Sequence, residues 1–299
     1  MRLTLEEAIA RVPQWIGAKQ VRTSSLGGGI TNHNYKVDVD GESFVLRIVG
    51  ARTDILGINR EDEYIANLEA GRLGIAPEVV YFIRPEGYLV TRFIQANPIP
   101  FEEIGKPENI RLIIGLLKKI HTMQPISGKF DAFRIVENYT LIAKKYDVDF
   151  PANFDWLISE MHNAEKALIR DPYIASPCHN DLLNANFLLQ DNRIYILDWE
   201  YAGMGDIYFD LANFSVNHGF SDDQDRFLLE CYFGEPTKAR WVRLKVMKIM
   251  SDFREAMWGL VQIGISELDV DFRGYAEKHF SRLTKNIQDP LWGEWLKEI

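Results

Sequence analysis

Apolar residues recur along this chain first at the spacing of strands and later at the spacing of helices. Residues 21–26 and 34–39 alternate apolar and polar side chains, as half-buried strands do. Gly27-Gly28-Gly29 separates them, and Asp40-Gly41 turns tightly into a third run at 43–49, which predicts an antiparallel meander. Ahead of the meander, Thr4 followed by Glu6 and Glu7 predicts a helix start leading into 8–12. Over 60–73 the apolar positions Ile65, Leu68 and Leu73 take helical spacing, and Gly74 ends the run. Strands at 78–83 and 88–93 follow, joined by Pro85-Glu86-Gly87.

Near Ile94 the pattern changes. After Asn97-Pro98-Ile99-Pro100 helical spacing dominates, predicting helices at 108–123, 139–146, 154–169, 222–233, 236–263 and 272–285. One hairpin interrupts them, with Phe187-Leu188-Leu189 and Ile194-Tyr195-Ile196-Leu197 on either side of an Asp191-Asn192 turn. The predicted fold is α+β in two lobes. Residues 1–94 form a small antiparallel β lobe with one helix between its strands, and 95–299 a larger, mainly helical lobe. The hinge is expected at 91–95. A chain of 299 residues is long enough for both cores.

Composition narrows the function by exclusion. Hydrophobic and charged fractions of 46% and 26% are those of an ordinary globular protein. A net charge of −9 disfavours a nucleic-acid backbone as partner. Cys178 and Cys231 form neither a disulfide framework nor a zinc site. The acidic, amphipathic N-terminus is unlike a signal peptide, and charges break every apolar run before it reaches a membrane-spanning length. The expectation is a cytoplasmic, reduced protein without membrane or nucleic-acid partners; its oligomeric state is open.

The chemistry concentrates between 178 and 220. His179, Asp181 and Asn186 stand as H-x-D-x-x-x-x-N, then come an apolar run and Asp198. Protein kinases use that arrangement for phosphoryl transfer, with ATP as donor and magnesium bridging its phosphates. Asp181 would take the substrate hydroxyl proton, and Asn186 and Asp198 would hold the metal, which prefers hard oxygen ligands. The alternative is a surface hairpin with solvated polar residues. Asp181 and Asp198 fit that poorly, because both flank apolar runs, where a carboxylate is costly unless paired or metal-bound.

Gly27-x-Gly29-x-x-Asn32 lies between two strands, a context that suits a backbone lid over phosphates rather than a dinucleotide fold; a plain hairpin turn is the alternative. The third strand offers Arg47 as the cation for ATP phosphates, unless it faces solvent. Glu63 or Glu61 would orient it. No Walker motif occurs, and no A-P-E element follows Asp198, as it would in kinases acting on proteins.

These residues carry a family resemblance. C-H-N-D-L-x-x-x-N-x-L at Cys178–Leu188 is followed by D-W-E-Y-A-G and D-L-A-N, and Leu46–Gly50 reads L-R-I-x-G. With Leu26–Asn32 and the LKKIHTM segment at 117–123, the chain resembles the choline/ethanolamine kinase family over nearly its whole length, within the wider group of aminoglycoside phosphotransferases and thiamine kinases. The resemblance implies an ATP- and magnesium-dependent kinase acting on the hydroxyl of choline or a related amino alcohol. It implies Asp181 as the base, and Asn186 and Asp198 as metal ligands with Glu200 beside the metal and the acceptor. Arg47 would meet the phosphates, with Gly28, Gly29, Thr31 and Asn32 in the lid and Ile94 at the hinge. His179 and Asp210 would support the catalytic loop; read from the residues alone, Glu200 is a structural carboxylate and Asp210 a helix N-cap.

For the acceptor, the resemblance implies Trp258 and Tyr275 as aromatic walls, because a quaternary ammonium has no N–H and is held by cation–π attraction. Helix packing is the other reading of both rings. Glu255 stands where animal choline kinases carry a second tryptophan, which suits a primary ammonium and leaves ethanolamine open beside choline. Thiamine and aminoglycosides are the rival acceptors, and Asp222, Asp223 and Asp225 could face a polycation or simply open a helix capped by Ser221. A nucleotide-binding pseudokinase is disfavoured by Asp181, Asn186 and Asp198 occurring together.

Overall fold

The computed structural model of the chain describes residues 3–27 and 32–299. In chain order the helices are α1 (Leu5–Ala10), α2 (Arg60–Arg72), α3 (Phe101–Ile104), α4 (Pro107–His121), α5 (Ala132–Lys145), α6 (Phe154–Leu168), α7 (Ile207–Asn217), α8 (Asp222–Phe233), α9 (Lys238–Ile265), α10 (Phe272–Ile287) and α11 (Trp292–Glu298). The strands are β1 (Val21–Leu26), β2 (Asn32–Val39), β3 (Glu42–Val49), β4 (Val79–Ile83), β5 (Tyr88–Arg92), β6 (Asn97–Pro98), β7 (Ser176–Cys178), β8 (Phe187–Gln190), β9 (Arg193–Ile196) and β10 (Gly203–Gly205). No helix among the described residues is long and apolar enough to cross a membrane.

Two compact units result. The first comprises Met1–Ile99, Ile126–Gly128 and Ala185–Tyr201; the second holds the rest. Residues 185–201, expected with the helical lobe, belong to the first unit for a backbone reason. The hairpin β8–β9 pairs with β6, and the Ile196 N–H donates to the Ile75 carbonyl at 2.8 Å.

The first unit is built on a five-stranded antiparallel sheet in the order β1-β2-β3-β5-β4. Alternation along β3 sends Phe44, Leu46 and Ile48 into a core with Ala8, Val12 and Trp15 from the N-terminal segment. Thr4 and Glu7 close a capping box on α1, satisfying its orphan N–H groups. Asn59 caps α2 by accepting from the Glu61 and Asp62 N–H groups.

The second unit is helical and centred on α9, a 28-residue helix against which α5, α7 and α10 pack. Helix α5 begins seven residues before the expected 139, because Asp131 caps it by accepting from the Phe133 and Arg134 N–H groups. Ser221 and Gln224 form a capping box at α8. Asp222 pairs with Lys245 at 2.7 Å and buried Asp225 with Lys248 at 2.6 Å, so two of the three acids that could face a polycation have lysine partners.

Candidate active site

In the first unit the site grows from β3 and α2. The alternation that buries Leu46 and Ile48 puts Arg47 on the opposite face, where it is 9% exposed. Its guanidinium pairs with Glu63 of α2 and lies 3.3 Å from Asp198. Burial opposes its charge, but the carboxylates of Glu63, Asp198 and Glu200 outweigh it and raise the Arg47 pKa. Glu61 points elsewhere, accepting from Arg84 at 2.7 and 2.8 Å. Arg60, which the sequence did not single out, extends the network. It donates to Glu63 at 2.7 Å and to Glu200 at 3.2 Å, and Glu200 also accepts from Asn32 at 3.0 Å.

Asp198 follows strand β9 on a backbone with φ of 62°, the left-handed region that Asp and Asn tolerate better than most residues. The fully buried Trp199 pins the turn by donating from its indole to the Ile196 carbonyl at 3.1 Å. Asn186, at the end of a short 3-10 turn, accepts from the Leu197 N–H at 2.9 Å through its carbonyl, which brings it beside the Asp198 turn. Ile94 is half-buried just beyond β5. Gly28, Gly29 and Thr31 lie outside the described residues.

In the second unit the loop 179–182 is clamped by α7. Asp210, fully buried, accepts from the backbone N–H groups of His179 at 2.9 Å and Asn180 at 2.7 Å. His121 sits 3.0 Å from it and 2.7 Å from the Tyr232 hydroxyl. Burial would raise the Asp210 pKa, but His121, His179 and these hydrogen bonds lower it below the usual carboxylate value. The N-cap of α7 is Asp206, which accepts from the Tyr208 N–H, so the alternative reading of Asp210 as the cap is corrected; Asp210 lies inside the first turn. Asn213, one turn further on, accepts from the Leu182 N–H at 2.6 Å. It stands in the D-L-A-N segment, and its spacing of three from Asp210 was the available signal. The His179 ring accepts from the Asp181 N–H at 3.3 Å.

The residues expected on the acceptor side, Glu255, Trp258 and Tyr275, gather on α9 and α10. Trp258 meets Tyr275 edge-on at 5.6 Å and 67°, and Phe272 at 5.9 Å and 73°. The Tyr275 hydroxyl donates to Glu255 at 2.6 Å, and Arg254 links Glu255 at 2.5 Å to Asp181 at 3.4 Å. Arg254 was missed by sequence reading. Its signal was an Arg-Glu pair directly ahead of the apolar run at 256–261 of α9.

Each unit thus holds charges that are fixed in place rather than solvated, and such preorganised charge is what phosphoryl transfer requires of a protein. The class is a small-molecule kinase with a two-lobed, protein-kinase-like α+β fold. A family model described as choline/ethanolamine kinase matches residues 23–228, and the chain belongs to that family. It is 29% identical over 274 residues to protein LicA of Haemophilus influenzae, covering 88% of this chain and 79% of that one. It is 27% identical to human ethanolamine kinase 2, over 91% of this chain and 78% of that one. The crystal structure of a choline/ethanolamine kinase family protein from Mesorhizobium loti superposes with a TM-score of 0.83 at 31% identity, covering 97% of this chain and 96% of that one. The activity is phosphorylation of a small amino alcohol on its hydroxyl, and family membership implies ATP as the donor.

Proposed function

We propose that this protein transfers the terminal phosphoryl group of magnesium-ATP to the hydroxyl of choline or ethanolamine. The observation that carries the reading is that Asp181, on a loop clamped by Asp210 and Asn213, is one hydrogen bond from α9, the helix that bears Trp258. In this reading Asp181 accepts the hydroxyl proton and aims the oxygen, and the rings of Trp258 and Tyr275 face the acceptor's cation. Arg47, aligned by Glu63, meets the phosphates, with Gly28, Gly29, Thr31 and Asn32 as the lid and Ile94 beside the nucleotide. His179 and Asp210 keep the Asp181 loop in shape.

Asn186, Asp198 and Glu200 would hold magnesium. They offer hard oxygen donors, and the three carboxylates of Glu63, Asp198 and Glu200 outnumber the guanidinium groups of Arg47 and Arg60, leaving a net negative cluster that suits a cation. Bound there, magnesium supplies charge neutralisation for the phosphates. Two cysteines without a disulfide between them support a cytoplasmic setting. With Glu255 in place of a second tryptophan, the acceptor's cation has one aromatic wall fewer than a quaternary ammonium would use, which keeps ethanolamine as a second reading beside choline.

ADP release with magnesium-ATP is the test, across choline, ethanolamine, thiamine and one aminoglycoside. Turnover is expected on choline or ethanolamine, and Asp181→Asn should lower it by about 10²–10⁴-fold, the usual range for a lost general base. Equal or greater turnover on thiamine or the aminoglycoside would overturn the acceptor assignment.

A further inference from the structure

Arg254 sits where an aliphatic side chain would be expected. Its neighbours Phe253, Ala256 and Met257 are fully buried and apolar, and Arg254 itself is 1% exposed. A guanidinium is costly there unless it is paired and hydrogen-bonded, so its presence calls for a use. One nitrogen, Nη1, donates both to Glu255 Oε1 at 2.5 Å and to Asp181 Oδ1 at 3.4 Å. Glu255, 2% exposed, accepts on its other oxygen from the Tyr275 hydroxyl at 2.6 Å. Burial opposes the Glu255 charge, but Arg254, His279 and the Tyr275 hydrogen bond outweigh it and hold the carboxyl below its ordinary value. Burial and the Glu255 carboxylate push the Tyr275 phenol well above its ordinary value, so it stays a donor.

We propose that Arg254 is a positioning residue for the acceptor step: anchored by Glu255, it fixes the carboxylate of Asp181, while the same Glu255 fixes Tyr275. One buried charge pair then sets both ends of the acceptor site, the end that receives the hydroxyl and the end that faces the cation. The inference rests on the amino-alcohol reading above and sharpens it. The Glu255 charge is balanced inside the protein by Arg254, so recognition of the acceptor's cation falls to the rings of Trp258 and Tyr275. Hydroxyl and nitrogen are two carbons apart in choline and ethanolamine, and 3-aminopropanol, longer by one carbon, should be a poor acceptor.

The test compares Arg254→Met, Arg254→Lys and Tyr275→Phe with the parent protein and with Asp181→Asn. Arg254→Met keeps an unbranched side chain in place of the arginine stem and removes the charged end. It is expected to lower kcat about 10–100-fold, the scale of loss from a reacting group misplaced by about an ångström. The KM for ATP and the thermal stabilisation by magnesium-ATP should stay at parent values. Arg254→Lys, which restores a cation, should recover part of kcat, and Tyr275→Phe should raise the acceptor KM more than it lowers kcat. Should Arg254→Met fail to fold, Arg254→Leu with Glu255→Leu removes both charges together and is expected to show the same loss of kcat. A folded Arg254→Met, or the double variant, with kcat within twofold of the parent overturns the proposal; so does a change in acceptor KM alone. Slow transfer to water, read as ADP release without alcohol, separates this inference from the reading beneath it. If no amino alcohol raises the parent above its water rate, the acceptor reading fails. Arg254 is then judged on the water reaction, where Arg254→Met must fall to the Asp181→Asn rate and an unchanged rate overturns the proposal.

Discussion

Glu61 and Glu63 are two positions apart on one helix, a rotation of about 200° at 3.6 residues per turn. The sequence admitted either as the partner of Arg47. Rotation decides between them: Glu61 is exposed beside Arg84, whereas Glu63 is 2% exposed between Arg47 and Arg60. What the chain alone did not show was the third partner, because Arg60 reads as an ordinary residue opening a helix. A further buried residue, His218, makes a testable statement. It is surrounded by Phe101, Phe214 and Phe220, donates from Nδ1 to the Phe214 carbonyl at 2.7 Å, and has its pKa lowered by burial from 6.5 to about 4. The unfolded chain therefore binds a proton at this residue below pH 6.5 that the folded chain refuses until about pH 4. Its stabilising contribution is complete above pH 6.5 and is lost as pH falls toward 4, on the order of 3 kcal/mol in all. Denaturant unfolding of His218→Gln and parent should converge across that interval as pH falls; parallel curves would refute the assignment.

At the scale of elements, periodicity located most helices, but it did not show what α2 buries and it passed over α7. In α2 the apolar spacing of Ile65, Leu68 and Leu73 marked the helix, and hydrophobicity alone would make those residues its core face. The buried positions are Glu63, Ala66, Asn67 and Ala70, and Leu73 is 49% exposed. The helix turns a polar face inward because it presents Glu63 to Arg47, and a pattern read on hydrophobicity alone inverts such a helix. Helix α7 gives little periodic signal for a different reason: residues 209–216 are all buried, so no polar face alternates with an apolar one. Close approach of elements also limits substitution. A Cβ on Gly259 of α9 would meet Ala276 Cβ at 3.0 Å, Tyr275 Cδ1 at 3.1 Å and the Phe272 carbonyl at 3.2 Å. Gly259→Ala gains about 1 kcal/mol of helix propensity but overpacks at about 1–3 kcal/mol, so a net loss of stability is expected. Because Tyr275 must yield, the acceptor KM should rise several-fold in steady-state kinetics while the ATP KM holds. A more stable variant with unchanged KM would show that α10 gives way freely.

For the whole molecule, the α+β class and the family were legible, because the catalytic motif and the change from strand to helix spacing near Ile94 are both local signals. The route of the chain was not, since pairing of β8 with β6 joins residues about ninety positions apart and nothing in either strand names its partner. A cut at 94/95 therefore misses that the first unit needs Ala185–Tyr201. A fragment of residues 1–99 would bury Arg47 and Arg60 without Asp198 and Glu200, and would leave β6 without β8. Thermal melts of that fragment by near-ultraviolet circular dichroism should show no cooperative transition; adding a peptide of residues 185–201 should restore at least part of one. A sharp melt by the fragment alone would mean the five-stranded sheet suffices.

The same three-segment construction bears on how such a protein can be inherited. A crossover in its gene near codon 95 would bring Arg47 and Glu63 from one parent and Asp198 and Glu200 from the other, so two lineages must agree on both sides of the break before the hybrid can pair its charges. Exchange of a whole N-terminal half by one recombination event is thereby penalised. Divergence within this architecture is expected to proceed by coordinated point substitution, with the residues at 47, 60, 63, 198 and 200 changing together or not at all.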